Sequence, residues 1–82
     1  MDLIKLTETI IKKLVTDPES VSIKEFETEE ENTIQIEVLI SADDMGKVIG
    51  KNGKTINSIR TVVQAASSLE DNKRVRINVD SY

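Results

Sequence analysis

Eighty-two residues, 38% hydrophobic and 32% charged, suit one small soluble domain and are too few for a two-halved dinucleotide fold, a barrel enzyme or a two-domain chain. With no cysteine and no histidine, there is no disulfide, no thiolate or imidazole zinc site and no histidine base. The net charge of −4 hides a division: residues 1–45 carry 4 basic and 12 acidic side chains, a balance of −8, and residues 46–82 carry 7 and 3, a balance of +4.

The sign changes where the glycines begin, so a polyanion repelled by one half could be held by the other. Apolar runs of two or three residues span no membrane. Met1-Asp2-Leu3-Ile4-Lys5 lacks a basic segment followed by an apolar stretch, so no signal peptide is expected and the expected location is the cytoplasm.

Asp2 can cap a first helix, in which Leu3, Leu6, Ile10 and Leu14 recur on one face, widened by Ile4, Ile11 and Val15. Asp17-Pro18 should stop it, because a residue before proline is pushed out of the α region. Residues 21–28 read as a strand with Val21 and Ile23 in phase and Phe26 out of phase, which predicts a bulge or an edge strand. Residues 29–32 form a polar hairpin connection. Thr33–Ile40 is the clearest strand, with Ile34, Ile36, Val38 and Ile40 on one side and Leu39 on the other.

Ser41-Ala42-Asp43-Asp44 has the capping-box pattern, with Ser41 at the cap and Asp44 three residues on. The helix it opens should be short, interrupted by Gly46 and Gly50. A third helix starts at Lys54 or Thr55, with Ile56, Ile59, Val63 and Ala66 on one face and Val62 and Ala65 off it. Residues 67–72 read as a loop. Residues 73–80 form a last strand, with Val75, Ile77 and Val79 facing inward. The order is α-β-β-α-α-β.

The informative stretch is Gly46-Lys47-Val48-Ile49-Gly50-Lys51-Asn52-Gly53-Lys54-Thr55-Ile56. Its glycines permit positive φ and leave no Cβ in the way of a ligand. It also leads into a helix N-terminus that attracts anions, with Lys47, Lys51 and Lys54 around it. A P-loop does not fit, because Val48 stands where its first glycine would be. A dinucleotide fingerprint does not fit either, since the loop follows a helix rather than a strand. From spacing alone, two readings stand: a phosphate-backbone clamp, or a helix–helix turn that needs glycine only to bend.

Val48-Ile49-Gly50-Lys51-Asn52-Gly53 resembles the VIGxxG signature of KH domains, in which a GxxG loop clamps the backbone of a short single strand. The element order is similar to that of the type II, bacterial variant. Together with Ser58-Ile59-Arg60-Thr61 and the ending Arg74-Val75-Arg76-Ile77-Asn78-Val79-Asp80, the chain resembles, along essentially its whole length, the small bacterial single-KH-domain RNA-binding proteins of the KhpA family.

The resemblance implies an α+β fold whose three-stranded mixed sheet is covered by helices on one face. It implies single-stranded RNA as ligand, with Gly50 and Gly53 shaping the turn and Lys51 and Asn52 against the sugar-phosphate backbone. Lys47, Lys54 and Arg60 would supply charge along the path. Ile49 and Ile56 would form the groove floor unless they are plain core, and the exposed edge of Thr33–Ile40 its wall. Residues 67–72 would be the variable loop.

The chain's two aromatic residues, Phe26 and Tyr82, lie far from the loop in sequence, so base stacking on aromatic rings is not expected there. Weak single modules gain by pairing, and Val62 and Ala65 are the expected dimer surface, for a second copy or for a KhpB/Jag (EloR)-type partner. No cofactor or metal is expected, and no catalysis. The resemblance implies post-transcriptional regulation bearing on cell elongation and division. A dimerisation module with little RNA binding is the other functional class, against which the intact glycines and lysine-rich loop argue.

Overall fold

Asp2 caps the first helix, its carboxylate accepting from the Lys5 N–H at 3.1 Å. The computed structural model describes residues 2–82, so Met1, and with it the first residue of the expected 1–82 domain, lies outside the described residues. Helix α1 spans Leu3–Leu14, and its innermost line is Leu3, Thr7 and Ile11, with Leu6, Ile10 and Leu14 only half-buried beside it. Thr7 can sit at the centre because its hydroxyl donates back to the Leu3 carbonyl at 2.8 Å. The helix ends at Leu14, short of Asp17-Pro18, because Val15 is extended and Thr16 and Asp17 turn their N–H groups toward Asp44.

Strand β1 (Ser22–Phe26) pairs antiparallel with β2 (Thr33–Ile40), from Ser22 opposite Leu39 to Phe26 opposite Gln35. The register is one-to-one, so the out-of-phase Phe26 reflects an edge strand without a bulge: it faces away from the core. Strand β3 (Arg74–Ser81) runs parallel to β2, Ile36 opposite Ile77. A parallel neighbour demands a crossover, which residues 41–73 supply as helices α2 (Met45–Ile49) and α3 (Lys54–Glu70). The sheet order is β1-β2-β3.

The core lies on one face of this mixed sheet, where Ile36, Val38, Ile40 and Ile77 meet Leu3 and Ile11 of α1, Val48 of α2 and Ile56, Ile59 and Val63 of α3. No helix among the described residues is long and apolar enough to cross a membrane.

Three local expectations are corrected. Ser41 makes no side-chain cap: the Asp44 carboxylate, buried, goes instead to Thr16 and Asp17. Gly46 does not interrupt α2 but lies inside it. Residues 67–70 are helical, not loop. The end of α3 is deferred because Asp71 and Asn72 both donate their N–H groups to the Ser67 carbonyl, at 2.8 and 2.7 Å. Asn72 then turns left-handed at φ 52°, a helix end asparagine accepts.

Candidate nucleic-acid interface

Two left-handed glycines and one left-handed asparagine build the loop between α2 and α3. The Gly50 N–H closes α2 on the Gly46 carbonyl at 2.9 Å, and the chain then turns at φ 75°, ψ 176°. A second demand falls on Gly50, since a Cβ there would stand 2.7 Å from Thr55 Cβ and 2.9 Å from the Thr55 backbone nitrogen. Residues Lys51–Gly53 form one tight turn, with Gly53 N–H on the Gly50 carbonyl at 3.2 Å. Asn52 sits inside it at φ 57°, ψ 26°, a region asparagine tolerates better than most residues. Gly53 follows at φ 75°, ψ 12°, and a Cβ there would meet only Asn57 Nδ2 at 3.7 Å, so its need for glycine is purely conformational. Gly53 is also the N-cap of α3 and brings no side chain to cap it.

Lys47, Lys51, Asn52 and Lys54 are exposed around this turn. None of the three lysines forms an ion pair among the described residues. Ile49 is half-exposed beside the turn. Ile56, by contrast, is 3% exposed and belongs to the core, so it offers no floor to a ligand. It lies on the line of α3 that continues through Ile59 and Val63, which the sheet covers.

The expected groove wall is also corrected. β2 is the central strand, paired on both sides, and has no free edge. The edge that lies against α3 is that of β3. Val75 N–H donates to Gln64 Oε1 at 2.8 Å, and the Lys73 carbonyl accepts from Gln64 Nε2 at 2.9 Å and from the Ser67 hydroxyl at 2.7 Å. One amide side chain thus takes the hydrogen bonds a further strand would take. Arg60 does the same one step on, donating to the Ile77 carbonyl through Nε (3.3 Å) and Nη2 (3.0 Å), while Nη1 reaches Asn57 Oδ1 at 3.0 Å. Arg60 is therefore held on the strand edge, unlike the free loop lysines.

Between α3 and this edge runs a shallow groove of about 470 Å³ lined by Arg60, Thr61, Gln64, Ala65 and Val75. Gln64 and Ser67 were not singled out from the sequence. Their signal was the half-polar face of α3 next to its apolar line, which is indistinguishable in sequence from a solvated face. Val62 is 51% exposed and Leu69 86%, and with Ala65 they make an apolar stripe at i, i+3 and i+7 on the outer side of α3. Leu69 escaped the sequence reading because its segment was read as loop.

The chain matches the family model "KhpA/KhpB, KH domain" over residues 4–79. It is 45% identical over 75 residues to the RNA-binding protein KhpA of Clostridium perfringens, spanning 92% of this chain and 96% of that one. It is 43% identical over 74 residues to the RNA-binding protein KhpA of Oceanobacillus iheyensis, spanning 90% and 95%. Among solved structures it is similar to Era in complex with MgGDPNP and nucleotides 1506–1542 of 16S ribosomal RNA, with a TM-score of 0.71 and 16% identity. That likeness concerns the fold alone and covers 96% of this chain but 29% of Era. Order of elements, parallel closing strand and glycine turn all agree with the match: the chain belongs to the KhpA/KhpB KH-domain family.

Proposed function

We propose that the protein is a cytoplasmic RNA-binding module that holds single-stranded RNA by its phosphate backbone at the Gly50–Gly53 turn. The observation that carries this reading is the turn itself: three positive-φ demands within four residues, met by Gly50, Asn52 and Gly53, ringed by three lysines that form no ion pair among the described residues. A helix–helix turn needs no such ring. Lys51 and Asn52 contact phosphate oxygens, Lys47 and Lys54 add charge on either side, and Ile49 supplies an apolar surface. The strand runs on along the groove between α3 and β3, where Arg60 places positive charge at the edge. The names of the KhpA relatives support RNA as the ligand.

The stripe of Val62, Ala65 and Leu69 supports pairing through α3, with a second copy or with a KhpB/Jag (EloR)-type partner, in post-transcriptional regulation bearing on cell elongation and division. Ala65 also lines the groove, so pairing and RNA contact share a border on α3. The experiment is salt-dependent binding of pooled RNA fragments to the parent and to Lys51→Asp/Asn52→Asp, which keeps both glycines. A negative salt slope in the parent, lost in a variant with unchanged circular dichroism, supports the clamp. Equal binding by both, or by neither, overturns it in favour of an α3 pairing module.

A further inference from the structure

The chain has five asparagines, and only Asn52 is followed by glycine. The backbone nitrogen of the next residue can attack an asparagine side-chain amide, and a side chain on that residue hinders the approach; this makes asparagine one of the thermolabile residues. Asn52 is exposed, and its amide has no hydrogen-bond partner among the described residues. Asn57 and Asn78, by contrast, are engaged with Arg60 Nη1 at 3.0 Å and Glu37 Oε2 at 2.9 Å. Asn32 and Asn72 share the left-handed backbone of Asn52, at φ 53° and 52°, but Thr33 and Lys73 follow them.

The surroundings of Gly53 favour the attack. Gly53 is the N-cap of α3, so its nitrogen lies at the positive end of the helix dipole, with Lys51 and Lys54 close in the chain. Positive potential there stabilises both the amide anion that attacks and the oxyanion that forms. What restrains the reaction is the shape of the turn. At ψ 26° of Asn52 the Gly53 nitrogen points away from the Asn52 side chain, and its N–H is bonded to the Gly50 carbonyl at 3.2 Å. Among the described residues no side chain caps this turn, and the flanking glycines let the backbone rotate once that bond breaks.

We propose that Asn52-Gly53 is a modification site, a deamidation switch that ends RNA binding and that RNA held at the turn delays. The inference rests on the phosphate-clamp reading of this turn. Hydroxide removes the Gly53 amide proton, and the nitrogen attacks Asn52 Cγ. The bond from Cγ to the side-chain nitrogen breaks, and ammonia leaves with a proton from water. Water then opens the cyclic imide at either carbonyl, giving aspartate or isoaspartate with no change in oxidation state. Either product puts a negative charge where the phosphate would lie. Aspartate just outside the N-terminus of α3 suits the helix dipole, so the fold persists. Isoaspartate adds a methylene to the main chain and undoes the turn.

The experiment ages the full chain in mildly alkaline buffer, with and without pooled RNA fragments. Mass spectrometry of its peptides should show conversion at Asn52 before any other asparagine, slowed by RNA there and not at Asn72. The more acidic fraction, separated by anion exchange, should bind the pooled RNA about tenfold or more weakly than fresh protein. Asn52→Asp should reproduce that loss with an unfolding midpoint no lower than the parent's. Asn32→Asp, the same change at another left-handed asparagine, should bind RNA as the fresh parent does. Earlier conversion at another asparagine, equal conversion with and without RNA, or equal loss of binding in Asn32→Asp overturns the proposal. Fresh protein that binds while the converted fraction keeps its affinity overturns the switch alone. Fresh protein that binds no RNA overturns the clamp reading and the switch with it.

Discussion

Asp44 holds Thr16 from 28 residues away: its Oδ1 accepts from the Thr16 N–H at 3.0 Å and from the Thr16 hydroxyl at 2.8 Å, and Oδ2 takes the Asp17 N–H at 3.2 Å. A buried carboxylate thereby ties the chain leaving α1 to the residue from which α2 starts, one short helix before the glycine turn. The Thr16 backbone N–H lowers the Asp44 pKa most; burial opposes it, and the Thr16 hydroxyl, the Asp17 N–H and the Lys47 charge lower it further. A depressed folded-state pKa means stability that is full above the unfolded value, about 4, and lost as pH falls through the lower folded one. Asp44→Asn should therefore lower the urea midpoint at neutral pH, and the gap to the parent should narrow below about pH 4.

Gly50 and Gly53 look alike in sequence and should differ on substitution. Gly50→Ala meets both a positive φ and the Thr55 side chain, so it should cost roughly 2–4 kcal/mol and shift the Thr55 amide resonance. Gly53→Ala meets only the φ and should cost about 1 kcal/mol. Denaturant titration of the two variants checks the order.

The polar side of α3 should matter to β3 more than its exposure suggests. Gln64→Leu strands the Val75 N–H and leaves Lys73 with one hydrogen-bond donor, and should cost about 1–2 kcal/mol. Amide exchange at Val75 should accelerate in the variant while the Ile36 amide, in the central strand, stays protected. Gln64→Glu keeps the acceptor for Val75 and should restore part of the loss.

RNA affinity should fall through charge at the turn and not through stability. Lys47→Ala, Lys51→Ala and Lys54→Ala should each reduce the salt slope by up to about 0.7, the value for one phosphate contact on a single strand. Unfolding midpoints should stay within about 0.5 kcal/mol of the parent, since these side chains are exposed and form no ion pair among the described residues. Arg60→Ala should instead lower stability as well, because it releases the Ile77 carbonyl.

Pairing through α3 should be separable from folding. Val62→Lys and Leu69→Lys place charges on an exposed stripe, so sedimentation should show a shift to monomer while thermal unfolding changes by less than about 1 kcal/mol. An unchanged assembly state in both variants would remove α3 as the contact.

Local chemistry was legible in the chain itself. The Asp2 cap, the alternation of Ile34, Ile36, Val38 and Ile40, and the Gly50–Gly53 turn each depend on neighbours a few residues away, so pattern and backbone preference determined them. So were the off-core positions of Val62 and Ala65, which follow from helical period. What the tertiary structure alone decided are partnerships across distance. Which strand lies in the middle depends on the parallel crossover, which took the free edge from β2 and left it to β3. Whether Asp44 caps its own helix or reaches back to Thr16, and whether Ile56 floors a groove or fills the core, depends on what packs against each. Arg60 and Gln64 read as a solvated face until β3 brings unpaired backbone groups to them. Short-range sterics are written in the order of residues, whereas a buried polar group finds its partner only when the fold brings one within hydrogen-bond reach.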